Sequence, residues 1–249
     1  MPLSFHFFKI ISLPQEPRFE TQEQLTLLDD QEDNMEACKS VVQLENRDLL
    51  PGIARYHVTH EFIVRLEYPG RARKIIFKEF VSPYHFPMFH PHGDSAHPDS
   101  LIVRTKGKVA HDFIKRMNGS RSGFTVEPRE IDFERLRPLV ASMKGAWFKD
   151  MKAANVTSTG LFGPRVDKSS EFKHAENIGT LNAVLTNYPF EEIAYTIMIT
   201  GSGGLVLYDN FETDETALPL VDDIRINFLE DSWAEATDKR RGKKIKGTD

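Results

Sequence analysis

The feature that most constrains the fold is an alternation of side chains from Tyr56 to Tyr68. Apolar residues occupy the even positions 56, 58, 62, 64, 66 and 68, whereas the odd positions are mostly polar and His60 interrupts the apolar row. A period of two is typical of a half-buried β-strand. Pro69 and Gly70 then suit a type II turn, after which residues 73–81, RKIIFKEFV, return as the partner strand. The sequence therefore predicts an antiparallel hairpin.

The remaining elements are predicted from apolar spacing and from turn residues. We expect further strands at 3–13, 101–105, 123–126, 156–166 and 224–228, and a second hairpin at 195–209. We expect helices at 21–44, at 109–117 and from Asp132 to Met151. The regular alternation of strand and helix that marks a doubly wound fold is absent. The predicted class is α+β, with an antiparallel or mixed sheet built from hairpins and interspersed helices.

The chain length of 249 residues suits one large domain or two small ones. We expect a single α+β domain over 1–237, with any subdomain boundary near 82–121, followed by a basic flexible tail at 238–249. No apolar run approaches the roughly 18 residues of a membrane span, and the N-terminus lacks the basic region of a signal peptide. We therefore expect a cytoplasmic protein without membrane contact.

Charge is divided unevenly along the chain. The whole chain has a net charge of −5. The tail from Asp238 to Asp249 has a net charge of +4, so residues 1–237 have a net charge of −9. The cations of the tail are Lys239, Arg240, Arg241, Lys243, Lys244 and Lys246. Such arms contact phosphate backbones without reading base sequence. The tail therefore predicts either weak, nonspecific binding of nucleic acid or a merely solvated terminus.

A segment rich in histidine and proline, from Ser82 to Ser100, has no periodicity and predicts a surface loop. Its metal-binding residue types are His85, His90, His92, Asp94, His97 and Asp99. Prolines make the segment a poor platform for ligands, which usually come from several elements. We expect no metal here; the alternatives are a partner-binding loop and the metal site of a hydrolase or nuclease.

Two other motifs favour structural roles. The order of Asp99, an apolar strand and Lys106 is similar to that of restriction-type nucleases, but Arg104 stands where their second acid would lie. The glycine-rich stretch Thr200–Gly204 precedes a strand rather than a helix, so it predicts a hairpin turn and no phosphate site. We expect no cofactor. The single cysteine, Cys38, excludes an internal disulfide and cysteine-rich zinc motifs.

No set of serine, histidine and acid is evident from the sequence, since such residues converge from distant positions. His60 lies in the inward-facing row of its strand and predicts a hydrogen-bonded core residue rather than a catalytic base. The function expected is that of a non-catalytic interaction protein, a subunit of a larger assembly with a protein partner or a second copy. The alternative is a metal-dependent hydrolase or nuclease using the histidine-rich segment at 85–99.

Overall fold

A computed structural model of the chain describes residues 2–21, 38–69, 75–93, 98–131, 133–140, 142–153 and 155–243. Its strands are β1 (Leu3–Ser12), β2 (Arg18–Glu20), β3 (Ser40–Leu50), β4 (Ile53–Pro69), β5 (Ile75–Pro91), β6 (Ser100–Arg104), β7 (Thr125–Pro128), β8 (Met143–Ala153), β9 (Val156–Phe162), β10 (Thr180–Phe190), β11 (Ile193–Thr200) and β12 (Gly204–Leu207). Its helices are α1 (Gly107–Asn118), α2 (Phe133–Leu136), α3 (Ser170–Ile178) and α4 (Asp214–Lys243). The chain is mostly β with some helices, which agrees with the broad α+β class.

Two compact units divide the chain. One unit is formed by residues 9–127, and the other by residues 1–8 together with 128–249. We call them the 9–127 unit and the 128–249 unit. Strand β1 contributes residues to both units, because the division falls within it.

The 9–127 unit contains strands in the order β2-β3-β4-β5-β6. The antiparallel pairing of β4 with β5 runs without a register shift from Ile53 opposite Pro91 to Pro69 opposite Ile75. The antiparallel partners expected from the alternation are thus confirmed, although the turn from Gly70 to Lys74 lies outside the described residues. The even positions Val58 and His60 are fully buried, as the period of two requires.

Helix α1 packs its apolar stripe against this sheet. The buried residues of the helix are Val109, Ala110, Phe113, Ile114 and Met117. The ring of Phe113 lies 5.5 Å from that of Phe86 on β5 and 6.1 Å from that of Phe124, both in edge-to-face geometry. Such contacts add to the free energy gained by burying the rings. The helix predicted at 109–117 is therefore confirmed, and it anchors the core of this unit.

The 128–249 unit contains strands in the order β12-β11-β10-β8-β9, with the first residues of β1 beside β12. One face is covered by helices, since Phe172 of α3 packs on Phe148 and Phe228 of α4 packs on Tyr188. The predicted hairpin at 195–209 is present as the antiparallel pair of β11 and β12. The strand predicted at 156–166 is present over Val156–Phe162 only, as β9.

The helix predicted from Asp132 to Met151 is wrong. After the short helix α2 and a single 3₁₀ turn over Arg137–Leu139, residues Met143–Ala153 form β8. Pro138 cannot donate a helical hydrogen bond, and Gly145 favours other conformations. Strand β8 is central, with partners on both edges. Its two faces both carry apolar side chains, which is why the period of two is hidden.

The strand predicted at 224–228 is also wrong, because these residues lie in α4. Ile224 and Phe228 are one helical turn apart, and they continue the buried stripe Ala217, Leu218, Leu220 and Val221. Arg225, between them, is fully buried and its Nε donates to Asp222 at 2.8 Å, one turn away. Five residues are too few to distinguish a period of two from the helical period of about 3.6, so the alternation at 224–228 does not identify a strand.

Two further expectations need correction. Residues 82–91 are not a loop, because they continue β5 opposite β4. Pro83, Pro87 and Pro91 are four residues apart, so their missing N–H groups all face one edge of the strand and the ladder on the other edge persists. The predicted helix at 21–44 is wrong from Ser40 onward, where β3 begins, and its residues 22–37 lie outside the described ones.

Candidate functional site

A polar network in the 9–127 unit is organised around a fully buried histidine. The imidazole of His60 on β4 has its Nδ1 atom 2.8 Å from Oγ of Ser40 on β3, and its Nε2 atom 3.1 Å from Oδ2 of Asp112 on α1. Arg116, one turn further along α1, donates to the same Oδ2 atom at 3.0 Å and to the carbonyl of Glu61 at 2.5 Å. The network therefore ties the helix to two strands.

The ionisation of His60 follows from its surroundings. Burial, reinforced by the guanidinium of Arg116, lowers the pKa of His60 to about 4, although Asp112 acts in the opposite direction. The imidazole is therefore neutral at pH 7. With Nε2–H donating to the carboxylate of Asp112, Nδ1 is left to accept from the hydroxyl of Ser40. Each of these polar groups has a partner, as buried polar groups require.

Serine, histidine and aspartate are the residue types of a hydrolytic triad, but here the serine and the histidine are not exposed. Ser40 and His60 are both completely buried, so the hydroxyl has no access to a substrate. A nucleophile must reach the reacting carbon. The expected core role of His60 agrees with this geometry. The sequence does not indicate Ser40, because the apolar pattern of residues 21–44 is typical of a helix, and it does not indicate Asp112, because its partner lies 52 residues away.

A surface pocket adjoins this network. It has a volume of about 390 Å³ and is lined by Phe62 and Ile63 of β4 and by Lys108, His111, Asp112, Lys115 and Arg116 of α1. The five residues of α1 lie on one side of the helix, because they are spaced by three or four residues. The pocket thus combines an apolar wall with a predominantly basic one.

The histidine-rich segment does not bring its described imidazoles together. His85 bonds Thr59 and stacks on His57, whereas Nε2 of His90 bonds the carbonyl of Pro98 at 3.0 Å. His92 bonds the carbonyl of Arg47 at 2.8 Å. Burial lowers the pKa of His90. Asp94 and His97 lie outside the described residues, and among the residues that are described no group of three or more histidine, cysteine or acidic side chains could hold a metal ion.

The stretch Thr200–Gly204 forms the turn between β11 and β12. Gly203 has a φ of 79°, and its N–H bonds the carbonyl of Thr200 at 3.0 Å, while the hydroxyl of Thr200 accepts from the N–H of Gly204 at 2.9 Å. A side chain at Gly203 would place its Cβ 2.6 Å from the carbonyl oxygen of Arg129. The glycine-rich stretch is the hairpin turn that the sequence predicts.

The basic tail is described only in part. Lys239, Arg240, Arg241 and Lys243 lie in the last turns of α4. Lys244 and Lys246 lie outside the described residues. Contact between the tail and nucleic acid stays a prediction.

Strand β9 has a feature that the sequence analysis missed. It is the last strand in its order, and within the described part of the chain no strand pairs with its outer edge. Gly163 donates its N–H to the carbonyl of Lys144 on β8, so alternation turns the N–H groups of Ser158, Gly160 and Phe162 outward. Its sequence, VTSTGLF, contains no charge and no proline. Exposed edges normally carry such residues, because they block pairing with another chain.

A groove runs beside this edge, between β9 and α3. It has a volume of about 490 Å³ and is lined mostly by apolar and small side chains. The lining residues are Met151, Val156, Thr159, Leu161, Ser170, Glu171, His174, Ala175 and Ile178. Leu161 and Thr159 face the groove because they lie opposite Ala146 and Phe148 on the helix-covered face. A strand beside β9 would project alternate side chains into this groove.

The opposite face of β9 carries an exposed aromatic ring. Phe162 is 66% exposed, and its ring lies edge-to-face with Trp147 at 5.0 Å. The ring fits over two glycines, since a Cβ at Gly145 or Gly160 would lie 3.3 or 3.2 Å from it. Because neither position has a side chain, the ring packs directly against the backbone at both glycines. A fixed, exposed aromatic side chain is typical of protein interfaces.

Comparison with known proteins identifies no relative of this chain among family models or curated proteins. Among the described residues, none of the helices combines the length and the apolar character that crossing a bilayer would need.

Proposed function

We propose that this chain is a non-catalytic interaction protein, a subunit of a larger assembly, and that it binds its partner by adding a strand to the outer edge of β9. The observation that carries the proposal is the uncharged edge from Val156 to Phe162, which pairs with no further strand among the residues that the structure describes. Strand addition obtains affinity from main-chain hydrogen bonds and specificity from pockets for alternate side chains. The outward N–H groups of Ser158, Gly160 and Phe162 are the donors for such main-chain hydrogen bonds.

The groove and the pair of Phe162 and Trp147 provide the contacts for alternate side chains that give specificity. Side chains of the added strand that point towards α3 enter the groove beside Leu161 and Ile178. Those that point the other way contact Phe162, which shields Trp147. The partner segment is therefore extended and carries apolar residues at alternate positions.

Local charge defines the partner further. The stretch 143–178 contains six basic and four acidic residues, a net charge of +2 within a chain of −5. Acidic residues flanking the partner segment would be attracted to it. A second copy of β9 fits less well, because its central groove-facing residue would be Thr159 and its own basic surroundings would be repelled. We therefore favour a different protein over self-assembly.

Selection of extended peptides from a displayed library on the immobilised full chain tests the proposal. We expect selected peptides to share apolar residues at alternate positions and acidic flanks. Ser158→Pro should abolish their binding, because it removes an outward N–H without taking a hydrogen bond from β8. Ser158→Ala is the matched control and should bind normally. Circular dichroism and thermal unfolding would confirm that both variants fold.

Three results would contradict this assignment. One is the failure to select any peptide; another is binding that Ser158→Pro leaves unchanged. The third is a dimer in sedimentation that Ser158→Pro converts to monomer, which would show that the occupant is a second copy. The basic tail would add a separate contact with nucleic acid. That contact is tested by deleting the tail, which leaves β9 unchanged.

A further inference from the structure

The pocket between α1 and β4 has an excess of positive charge, because the one carboxylate among its lining residues is already engaged in the polar network. Its only carboxylate, among the residues that line it, belongs to Asp112. That carboxylate already accepts from Arg116 and from His60. The charges of Asp112 and Arg116 therefore offset each other, so the carboxylate is not available to balance the lysines of the pocket.

Lys108 and Lys115 are the uncompensated cations. In the part of the chain that the structure describes, neither forms an ion pair with an acidic side chain, and the ammonium of Lys108 lies 5.5 Å from the centroid of the Phe62 ring. The two lysines are seven residues apart on α1, two turns along the same side of the helix. Both line the pocket, and their Cα atoms are about 10 Å apart along the helix, a span that two flexible lysine side chains can close around one small anion.

The apolar wall favours a ligand that is more than an inorganic ion. Phe62 and Ile63 both line the pocket, and Ile63 is 42% exposed. The volume of about 390 Å³ is within the range of small-molecule sites. Two ammonium groups match the double charge of a phosphate monoester better than the single charge of a carboxylate.

We propose that this pocket binds a small phosphate monoester, with the phosphate between Lys108 and Lys115 and an apolar or aromatic body against Phe62 and Ile63. The fixed Asp112–Arg116 pair keeps the α1 wall in position. Long polyanions are disfavoured, because residues 1–237 carry a net charge of −9. This site lies in the 9–127 unit and does not depend on the proposal for β9.

Titration of the isotope-labelled full chain with phenyl phosphate tests the site. We expect saturable shifts of the backbone amides of Phe62, Ile63 and Lys115. Lys108→Gln and Lys115→Gln should each weaken binding about five- to tenfold, in keeping with the loss of one charge-assisted contact. Lys173→Gln, an exposed lysine of α3, is the matched control and should bind unchanged.

The apolar wall is tested with a second pair of probes. Ile63→Ser should weaken phenyl phosphate while leaving the weaker binding of inorganic phosphate unchanged. Absence of saturable binding, or equal effects of Lys115→Gln and Lys173→Gln, would overturn the site. Binding of benzoate as tight as that of phenyl phosphate would overturn the assignment of the ligand as a phosphate.

Discussion

Nε2 of His60 lies 3.1 Å from Oδ2 of Asp112, and the two residues are 52 positions apart in the chain. Through this contact a strand of the sheet is joined to the helix that covers it. The same carboxylate receives Arg116, so a single acidic oxygen organises the polar part of an otherwise apolar core. The contact also makes stability dependent on pH.

The free energy of unfolding should decrease as the pH falls from about 6.5 towards 4. The pKa of His60 is about 4 in the folded chain and near 6.5 when unfolded. The unfolded state therefore binds the proton first, and up to about 3 kcal/mol is lost across this interval. Urea unfolding at several pH values measures the change. His60→Gln should flatten this part of the profile, whereas His111→Gln should retain it; equal slopes for all three proteins would contradict the assignment.

Replacement of Phe113 by alanine should destabilise the 9–127 unit by about 3 to 5 kcal/mol, the usual cost for a buried phenylalanine. The Phe113 ring is completely buried and contacts His60, Phe86 and Phe124. Phe80 in the same unit is 44% exposed, so Phe80→Ala should cost less than about 1 kcal/mol. Chemical denaturation compares the two variants, and similar losses would show that the core is misplaced.

Gly203→Ala should cost about 2 kcal/mol or more in the 128–249 unit. The residue has a φ of 79°, and an added Cβ would meet the carbonyl oxygen of Arg129 at 2.6 Å. Gly201→Ala, in the same turn, would meet only ordinary contacts, the nearest at 3.4 Å. Thermal unfolding should therefore separate the two variants. A smaller loss for Gly203→Ala than for Gly201→Ala would contradict the geometry of the turn.

The histidine-rich segment should not retain a stoichiometric metal ion. His85, His90 and His92 each bond a different partner, and those bonds hold the rings apart. Untagged protein dialysed after exposure to zinc, iron and manganese should contain much less than one equivalent. One equivalent that is lost in the double variant His90→Ala, His92→Ala would instead support the hydrolase or nuclease alternative.

Any affinity for DNA or RNA should be weak, independent of base sequence and carried by the tail from Lys239 to Lys246. If about four cations contact phosphates, log K should fall with log salt with a slope near −3.6 on duplex DNA, at roughly 0.9 per phosphate. Fluorescence anisotropy at several salt concentrations measures the slope. Binding that survives deletion of residues 238–249 would indicate a dedicated site elsewhere.

Local sequence patterns were sufficient where one face of an element meets the core and the other meets water. The alternation from Tyr56 to Tyr68 and the stripe from Val109 to Met117 predicted β4 and α1, because side-chain period reports which face is buried. Patterns were insufficient for β8, which has apolar side chains on both faces, and for Ile224–Phe228, where five residues fit two periods. The three prolines of β5 also concealed a strand, since their effect depends on which edge of the strand their nitrogen atoms face.

The candidate sites depended on contacts that sequence spacing does not contain. The sequence determined that His60 is an inward-facing polar residue, but only the tertiary structure brought Ser40 and Asp112 to its two nitrogens. Likewise, the sequence determined that Val156–Phe162 is uncharged, but only the order of the strands made it an edge. The physical reason is that period and propensity act between near neighbours, whereas partners of a buried polar group and the ends of a sheet are set by long-range packing.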